Sequence, residues 1–97
     1  MSTEAHHGRA LIEEARLALD AVHRAALVAD AGGLRRGLGV ADTLLQQTEQ
    51  AGLGSEADAA IAAVRRDIAT ALTDLDAGEL VGMETVIETA RTKLNAV

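Results

Sequence analysis

Apolar residues recur along this chain at alternating intervals of three and four, and this spacing constrains the fold more than any other feature. The first stripe consists of Leu11, Ala15, Ala18, Val22, Ala25 and Ala29, broadened by Ile12, Leu19 and Ala26. A stripe with this spacing lies along one face of an α-helix and is wide enough to pack against a core. The sequence therefore predicts helix A over residues 9–31.

Three further stripes keep the same spacing and predict helices B, C and D. Their residues are Leu34, Leu38, Ala41, Leu45 and Thr48 in helix B, Ala57, Ile61, Val64, Ile68, Ala71 and Leu75 in helix C, and Leu80, Met83, Ile87, Ala90, Leu94 and Val97 in helix D. Phe, Tyr, Trp and Pro are absent, while alanine and leucine are abundant, which favours helices over strands. We expect an all-α protein without strands.

Neighbouring stripes are out of phase at two places. Five residues separate Ala29 from Leu34, and five separate Leu75 from Leu80. Because a helix turns about 100° per residue, five residues rotate the stripe by about 140° beyond a full turn. One straight helix cannot direct both stripes at one core, so the chain must break at both places.

Glycines and capping residues mark where the breaks fall. Gly32-Gly33 is predicted to separate helices A and B, and Gly52-Leu53-Gly54 to separate helices B and C. Ser55 is predicted to cap helix C, with Asp58 three residues later as its reciprocal partner. The segment 76–79 has the same pattern, an Asp followed three residues later by a Glu, and is predicted to cap helix D.

Short connections make neighbouring helices antiparallel. The sequence therefore predicts an antiparallel four-helix bundle, one domain over residues 1–97, built from a hairpin over 9–51 and a second over 55–97. The segments 30–32 and 76–78 both read Asp-Ala-Gly, which leaves open whether the halves are a duplication. Only 26 larger aliphatic residues serve four helices, so the core is thin and we expect a homodimer to bury a further face.

Composition excludes several classes of function. A net charge of −6 and the absence of aromatic side chains disfavour binding to nucleic acid. The chain contains no cysteine, no run of 18 apolar residues and no basic-then-apolar N-terminal signal. We therefore expect a cytoplasmic protein that does not bind membranes. No nucleophile and base can be paired with any specificity, so we expect no enzymatic activity and no cofactor.

His23 is the most notable candidate site residue. It follows Val22 of the apolar stripe and lies three residues after Asp20, on the same helix face. An exposed histidine on a bundle helix resembles the phosphoacceptor of histidine phosphotransfer domains. Those domains place a lysine three residues after the histidine and a glycine next to it, whereas Ala26 and Leu27 stand at these positions here.

The Asp20 and His23 pair also has the carboxylate and histidine spacing used in di-iron bundles. A di-iron site requires a second such pair on another helix, and no other predicted helix contains a histidine. We therefore predict no metal site in the chain. The alternative that remains open is that the imidazole of His23 only forms a hydrogen bond with Asp20 or with water.

Two arginine pairs stand out in an acidic chain. Arg35-Arg36 and Arg65-Arg66 are candidates for binding an acidic protein partner through bidentate pairing with carboxylates. The alternative is that they pair with neighbours such as Asp67.

The leading hypothesis is a non-enzymatic helical module that binds another protein as an adaptor, inhibitor or assembly component. The alternatives are a phosphotransfer or metal-binding bundle centred on His23, and a structural self-assembling module.

Overall fold

The computed structural model describes residues 3–97, with side chains from His6 onward. The described chain contains four helices and no strand: α1 (Thr3–Leu27), α2 (Ala31–Ala51), α3 (Ser55–Asp76) and α4 (Met83–Asn95). The prediction of an all-α protein with four helices is confirmed. None of the described helices is both long enough and apolar enough to cross a membrane.

The four helices form a closed ring of contacts. α1 packs against α2 and α4, and α3 packs against the same two helices, with the most extensive contact between α1 and α2. Within the described residues, α1 does not contact α3, and α2 does not contact α4. This arrangement is that of a bundle, 44 Å long and 19 by 18 Å across, with its core along the middle.

The predicted apolar stripes form the core. Every residue of the α2 stripe is buried, and every buried residue of α3 and α4 belongs to a predicted stripe. The buried residues are Leu34, Leu38, Ala41, Leu45 and Thr48 in α2, Ile61, Val64, Ile68, Ala71 and Leu75 in α3, and Met83, Ile87, Ala90 and Leu94 in α4. Thr48 is the polar member of this core. Its hydroxyl donates to the carbonyl oxygen of Leu44 at 2.8 Å, so that burying it leaves no donor unpaired.

The first break differs from the prediction. α1 ends at Leu27, not near residue 31, and Ala29 takes a left-handed conformation with φ of 54°. The backbone N–H of Ala29 donates to Ala26 and that of Asp30 donates to Ala25, which is the Schellman pattern of a helix end. Asp30 then caps α2 by accepting from the N–H of Gly33 at 3.0 Å. The pair Gly32-Gly33 therefore lies inside α2, and the prediction that it separates the helices is wrong.

The predicted caps of the second half are also wrong. Gly54 occupies the N-cap of α3 without a side-chain bond, and Ser55 is the first helical residue. α4 begins at Met83 after Gly82, so Asp76 ends α3 and does not cap α4. The connection after α3 turns instead at Gly78, whose φ is 77°. A glycine adopts this conformation without the steric cost of a Cβ atom, which explains why the turn forms there.

The two Asp-Ala-Gly segments serve different purposes. Asp30 caps the start of α2, whereas Asp76 is the last residue of α3. The residue that corresponds structurally to Gly78 is Ala29, since each is the left-handed residue that follows a helix. The sequence match thus pairs residues that stand at different places in the fold.

The capping difference predicts unequal effects of two similar substitutions. Asp30→Ala should lower the free energy of unfolding by about 1 kcal/mol, because it leaves the N–H of Gly33 without its acceptor. Ser55→Ala should change it by less than about 0.5 kcal/mol, because Ser55 caps nothing. Urea unfolding followed by circular dichroism measures both. An equal loss in the two variants would contradict the assignment of the caps.

Small residues bring α1 and α2 close together. A methyl group on Gly37 would overlap the Cγ2 atom of Val22, and one on Gly33 would lie 3.3 Å from the Cβ atom of Ala25. Near the other end, one on Gly8 would lie 2.9 Å from the Cδ2 atom of Leu53. The beginning of α2 thus lies against the end of α1, and the chain just after α2 lies against the beginning of α1.

Candidate functional site

Large apolar side chains are exposed at a few described positions. They are Leu17 at 62%, Leu27 at 57%, Val28 at 74%, Val40 at 52% and Val81 at 99%. Val81 lies in the connection between α3 and α4, and Leu27 ends α1. Leu17 lies on α1, Val28 lies in the connection directly after α1, and Val40 lies on α2. Exposed apolar side chains that line one depression are candidates for contact with another molecule.

Two of these three residues, Val28 and Val40, line an open groove between α1 and α2, here called the α1–α2 groove. Its volume is about 530 Å³. Small residues form its floor and two arginines lie along it; the lining consists of Ala18, Ala21, Arg24, Ala25, Val28, Asp30, Gly33, Arg36, Gly37 and Val40. Gly33 and Gly37, which permit the close approach of the two helices, both line this groove.

The outward face of α1 beside this groove carries one acidic and one basic side chain. Glu14 lies near the middle of the helix and Arg24 in its last turn, and both are exposed. Leu17 and Ala21 lie between them on the same side of the helix. Ten residues of helix span about 15 Å, so the two charges are well separated along α1.

His23 is partly buried between α1 and α4. Its Nε2 atom lies 3.6 Å from Oε1 of Glu88, and a quarter of its side chain is exposed. Asp20, which shares its helix face, binds Arg91 instead: Oδ1 accepts from Nε at 3.1 Å and from Nη2 at 2.9 Å. Arg91 also donates to Glu88 at 2.8 Å. The structure therefore brings His23 and Asp20 into one polar cluster, but through Glu88 and Arg91 of α4.

The surroundings of His23 do not assemble a set of metal ligands. Among the described residues, no group of three or more histidine, cysteine or acidic side chains is placed to hold a metal ion. The open depression beside His23 is lined by threonines of α4 together with Glu84, Glu88 and Lys93. Lys93 itself donates to Asp67 of α3 at 2.9 Å.

Arg65 joins α3 to α2. Its Nε donates to Oδ1 of Asp42 at 2.9 Å, and its Nη1 donates to Oε1 of Glu49 at 2.7 Å. The hydrogen bonds to Asp42 and then to Glu49 raise the pKa of the Arg65 guanidinium further above its ordinary value. Both carboxylates are about two-thirds buried, so Arg65 pairs with partners inside the bundle.

The other three arginines of the two pairs are exposed. Arg35 binds Asp76 at 2.6 Å across the end of the bundle, where both side chains are more than half exposed. Arg36 and Arg66 form no ion pair within residues 6–97. Arg36 lines the α1–α2 groove, whereas Arg66 lies beside Arg65 at a different depression.

Sequence reasoning missed the residues that define the groove. Val28 and Val40 were not among the predicted site residues, all of which are charged or titratable. A signal was present, since the apolar residues Leu17, Ala21 and Val28 recur at intervals of four and seven on the side of α1 away from its core stripe. A second, weaker stripe on a helix indicates a second contact surface.

Comparison of the chain with protein-family models, with curated proteins and with solved structures finds no match in any of the three.

Proposed function

We propose that this chain is a non-enzymatic, cytoplasmic helical module that binds an α-helix of a protein partner in the α1–α2 groove and acts as an adaptor, inhibitor or assembly component. The observation that carries the proposal is the groove itself. Its exposed valines, Val28 and Val40, line it together with alanine and glycine residues of α1 and α2. Amphipathic helices bind grooves of this kind through apolar side chains spaced three and four residues apart.

The shape and charge of the groove define the chemistry of its partner. Ala18, Ala25 and Gly37 project little or nothing from the surface of the groove, so larger apolar side chains of a partner can rest on them. Arg24 and Arg36 lie along the groove and pair with carboxylates. The partner is thus an amphipathic helix with leucine or isoleucine on one face and acidic residues beside that face.

The architecture proposed for this module is two antiparallel hairpins, α1 with α2 and α3 with α4. The order of contacts supports it in the first pair, where Gly33 lies against Ala25 while Gly8 lies near Leu53. We also propose that the module dimerises. Leu17 is 62% exposed and lies outside the α1–α2 groove, so a second copy of the chain would cover it without blocking the groove.

The environment of His23 favours this proposal over histidine phosphotransfer. The carboxylate of Glu88 lies 3.6 Å from Nε2 of His23, and Glu84 lines the same depression. Two carboxylates repel an incoming phosphoryl group, which carries negative charge. Arg91, the nearby cation, already binds Glu88 and Asp20.

Photocrosslinking in the source cells tests the proposed function. A benzoyl-phenylalanine in place of Val40 should crosslink to a protein in several times the yield obtained from the same group in place of Val81. Val81 is the matched control, because it is an exposed valine outside the groove. Mass spectrometry then identifies the captured helix.

The groove must be responsible for the capture. Adding Val28→Asp to the position-40 probe should abolish the adduct, because a charge in the groove removes the apolar contact. Equal yields at positions 40 and 81, or no adduct at either, would overturn the proposal. A partner segment without an amphipathic helix would overturn the chemistry assigned to it.

A further inference from the structure

We propose that Arg24 and Arg36 recognise one particular feature of the partner helix, namely an acidic residue on each side of its central apolar side chain. This inference rests on the proposed function, since it names the residues that the α1–α2 groove selects in its partner. Arg24 belongs to α1 and Arg36 to α2, and both side chains are exposed and line the groove. Their position, their lack of partners and the small residues between them support the inference separately.

The two arginines stand at the same level of the groove, one on each wall. Gly33 lies against Ala25, and Gly37 lies against Val22. In α1 the arginine falls between these two contact residues, and in α2 the arginine falls between the two glycines. The two side chains therefore start from the same turn of the bundle, on opposite helices.

Neither arginine has an acidic partner in the described part of the chain. Arg24 and Arg36 form no ion pair within residues 6–97, although the chain has a net charge of −6. The carboxylate of the groove lining, that of Asp30, caps α2 by accepting from the N–H of Gly33 at 3.0 Å. Two like charges in one turn of the bundle repel each other, and carboxylates of a partner would offset this repulsion.

Small residues keep the two positive charges apart. Ala25 and Gly33 line the groove at the point where the two helices meet. A large apolar side chain of the partner rests on them and fills the space between the two guanidinium groups. One anion therefore cannot bridge both arginines, and each arginine requires its own carboxylate on its own side of the apolar side chain.

The geometry of an α-helix converts this requirement into a sequence pattern. Successive residues of a helix are about 100° apart around its axis, so the residues directly before and after a leucine project to its two sides. These two residues are only about 3 Å apart along the axis, which matches two arginines at one level. We therefore expect the sequence Glu-Leu-Glu, or its aspartate equivalent, at the centre of the partner helix.

Two designed peptides test this pattern on the purified chain. Both are alanine-rich helices of about 18 residues with leucines three and four residues apart, and they have the same composition. Around the central leucine, one reads Ala-Glu-Leu-Glu-Ala and the other Glu-Ala-Leu-Ala-Glu, which moves the glutamates to the far side of the helix. Fluorescence anisotropy of labelled peptides at low salt should show the first binding at least about fivefold more tightly.

Charge reversal assigns this preference to the two arginines. Arg24→Glu and Arg36→Glu should each remove most of it. Arg66→Glu is the matched control, because it makes the same charge change at an exposed arginine that lines a different depression, and it should keep the preference. The double variant at positions 24 and 36 should instead prefer a third peptide, with lysines beside the leucine. Circular dichroism establishes that each variant retains its helices.

The outcomes separate this inference from the proposed function. Equal affinity of the wild type for the two glutamate peptides, or no binding of either, would overturn the inference. A loss of preference in Arg66→Glu as large as in Arg24→Glu would also overturn it, because net charge alone would then be responsible. If crosslinking from position 40 still captures a partner helix in these cases, the binding function stands and only the acidic pattern is wrong.

Discussion

Gly37→Leu should lower the free energy of unfolding by about 1–2 kcal/mol, although it replaces a glycine inside a helix. Any Cβ atom at this position overlaps the buried side chain of Val22, which is β-branched and cannot rotate away freely. The overlap forces α1 and α2 apart, and overpacking of this kind costs about 1–3 kcal/mol or more. Because this cost exceeds the roughly 1 kcal/mol gained by removing a helical glycine, the net effect is a loss.

Gly39→Leu provides the matched control two residues away. Gly39 lies in the same helix, is exposed, and has no neighbouring atom within 4 Å of the added Cβ position. This variant should gain somewhat less than about 1 kcal/mol from helix propensity alone. Urea unfolding of both variants checks the pair. If Gly37→Leu proves as stable as Gly39→Leu, α1 and α2 do not approach closely at Gly37 and Val22.

Leu45→Ala should lower the free energy of unfolding by about 3 kcal/mol. Leu45 is fully buried in the middle of the α2 stripe, and its removal loses apolar contacts and leaves a cavity. The free energy of unfolding of a domain of this size is about 5–10 kcal/mol, so this loss should measurably raise the fraction of unfolded protein at 37 °C. Thermal and urea unfolding by circular dichroism give the change in stability.

Leu27→Ala is the control for this substitution. Leu27 is more than half exposed at the last position of α1, so the same chemical change should alter stability by less than about 0.5 kcal/mol. A loss as large as that of Leu45→Ala would show that Leu27 is buried in solution, for example by a partner. Repeating both measurements over a range of protein concentration separates the two causes.

The core could be predicted from the sequence, because burial in a helix follows a simple period. All five residues of the helix B stripe are buried, and the stripes of helices C and D differ from the buried sets only at their ends. A side chain such as Ile68 is buried because it lies on the face of its helix that packs against the core. The stripe of helix A is buried only in part: Ala18 and Ala25 are half-buried, and Ala29 is exposed because α1 ends at Leu27. Helix count and most of the core therefore follow from spacing.

The helix ends could not be predicted in the same way. Glycine allows a left-handed turn, but it also allows two helices to approach closely, and the sequence does not distinguish these uses. Gly78 makes a turn, whereas Gly33 and Gly37 lie within α2 against α1. The turn after α1 uses Ala29 instead, which no local preference indicates.

The candidate site was predicted only as a set of separate residues. His23 and Arg65 were identified, but their partners Glu88, Asp42 and Glu49 come from other helices, and only the packing of the bundle brings them together. The groove required both the α1–α2 contact and the outward stripe of α1. Pairings between helices depend on their relative rotation, which a single sequence does not determine.

The left-handed alanine between α1 and α2 also bears on how the chain acquires its structure. Gly78 adopts its conformation readily in an unfolded chain, so the turn between α3 and α4 can form before its helices meet. Ala29 gains nothing locally from the same conformation. The turn between α1 and α2 is therefore a result of the packing of the two helices, and we expect it to be among the last parts of the molecule to form during folding.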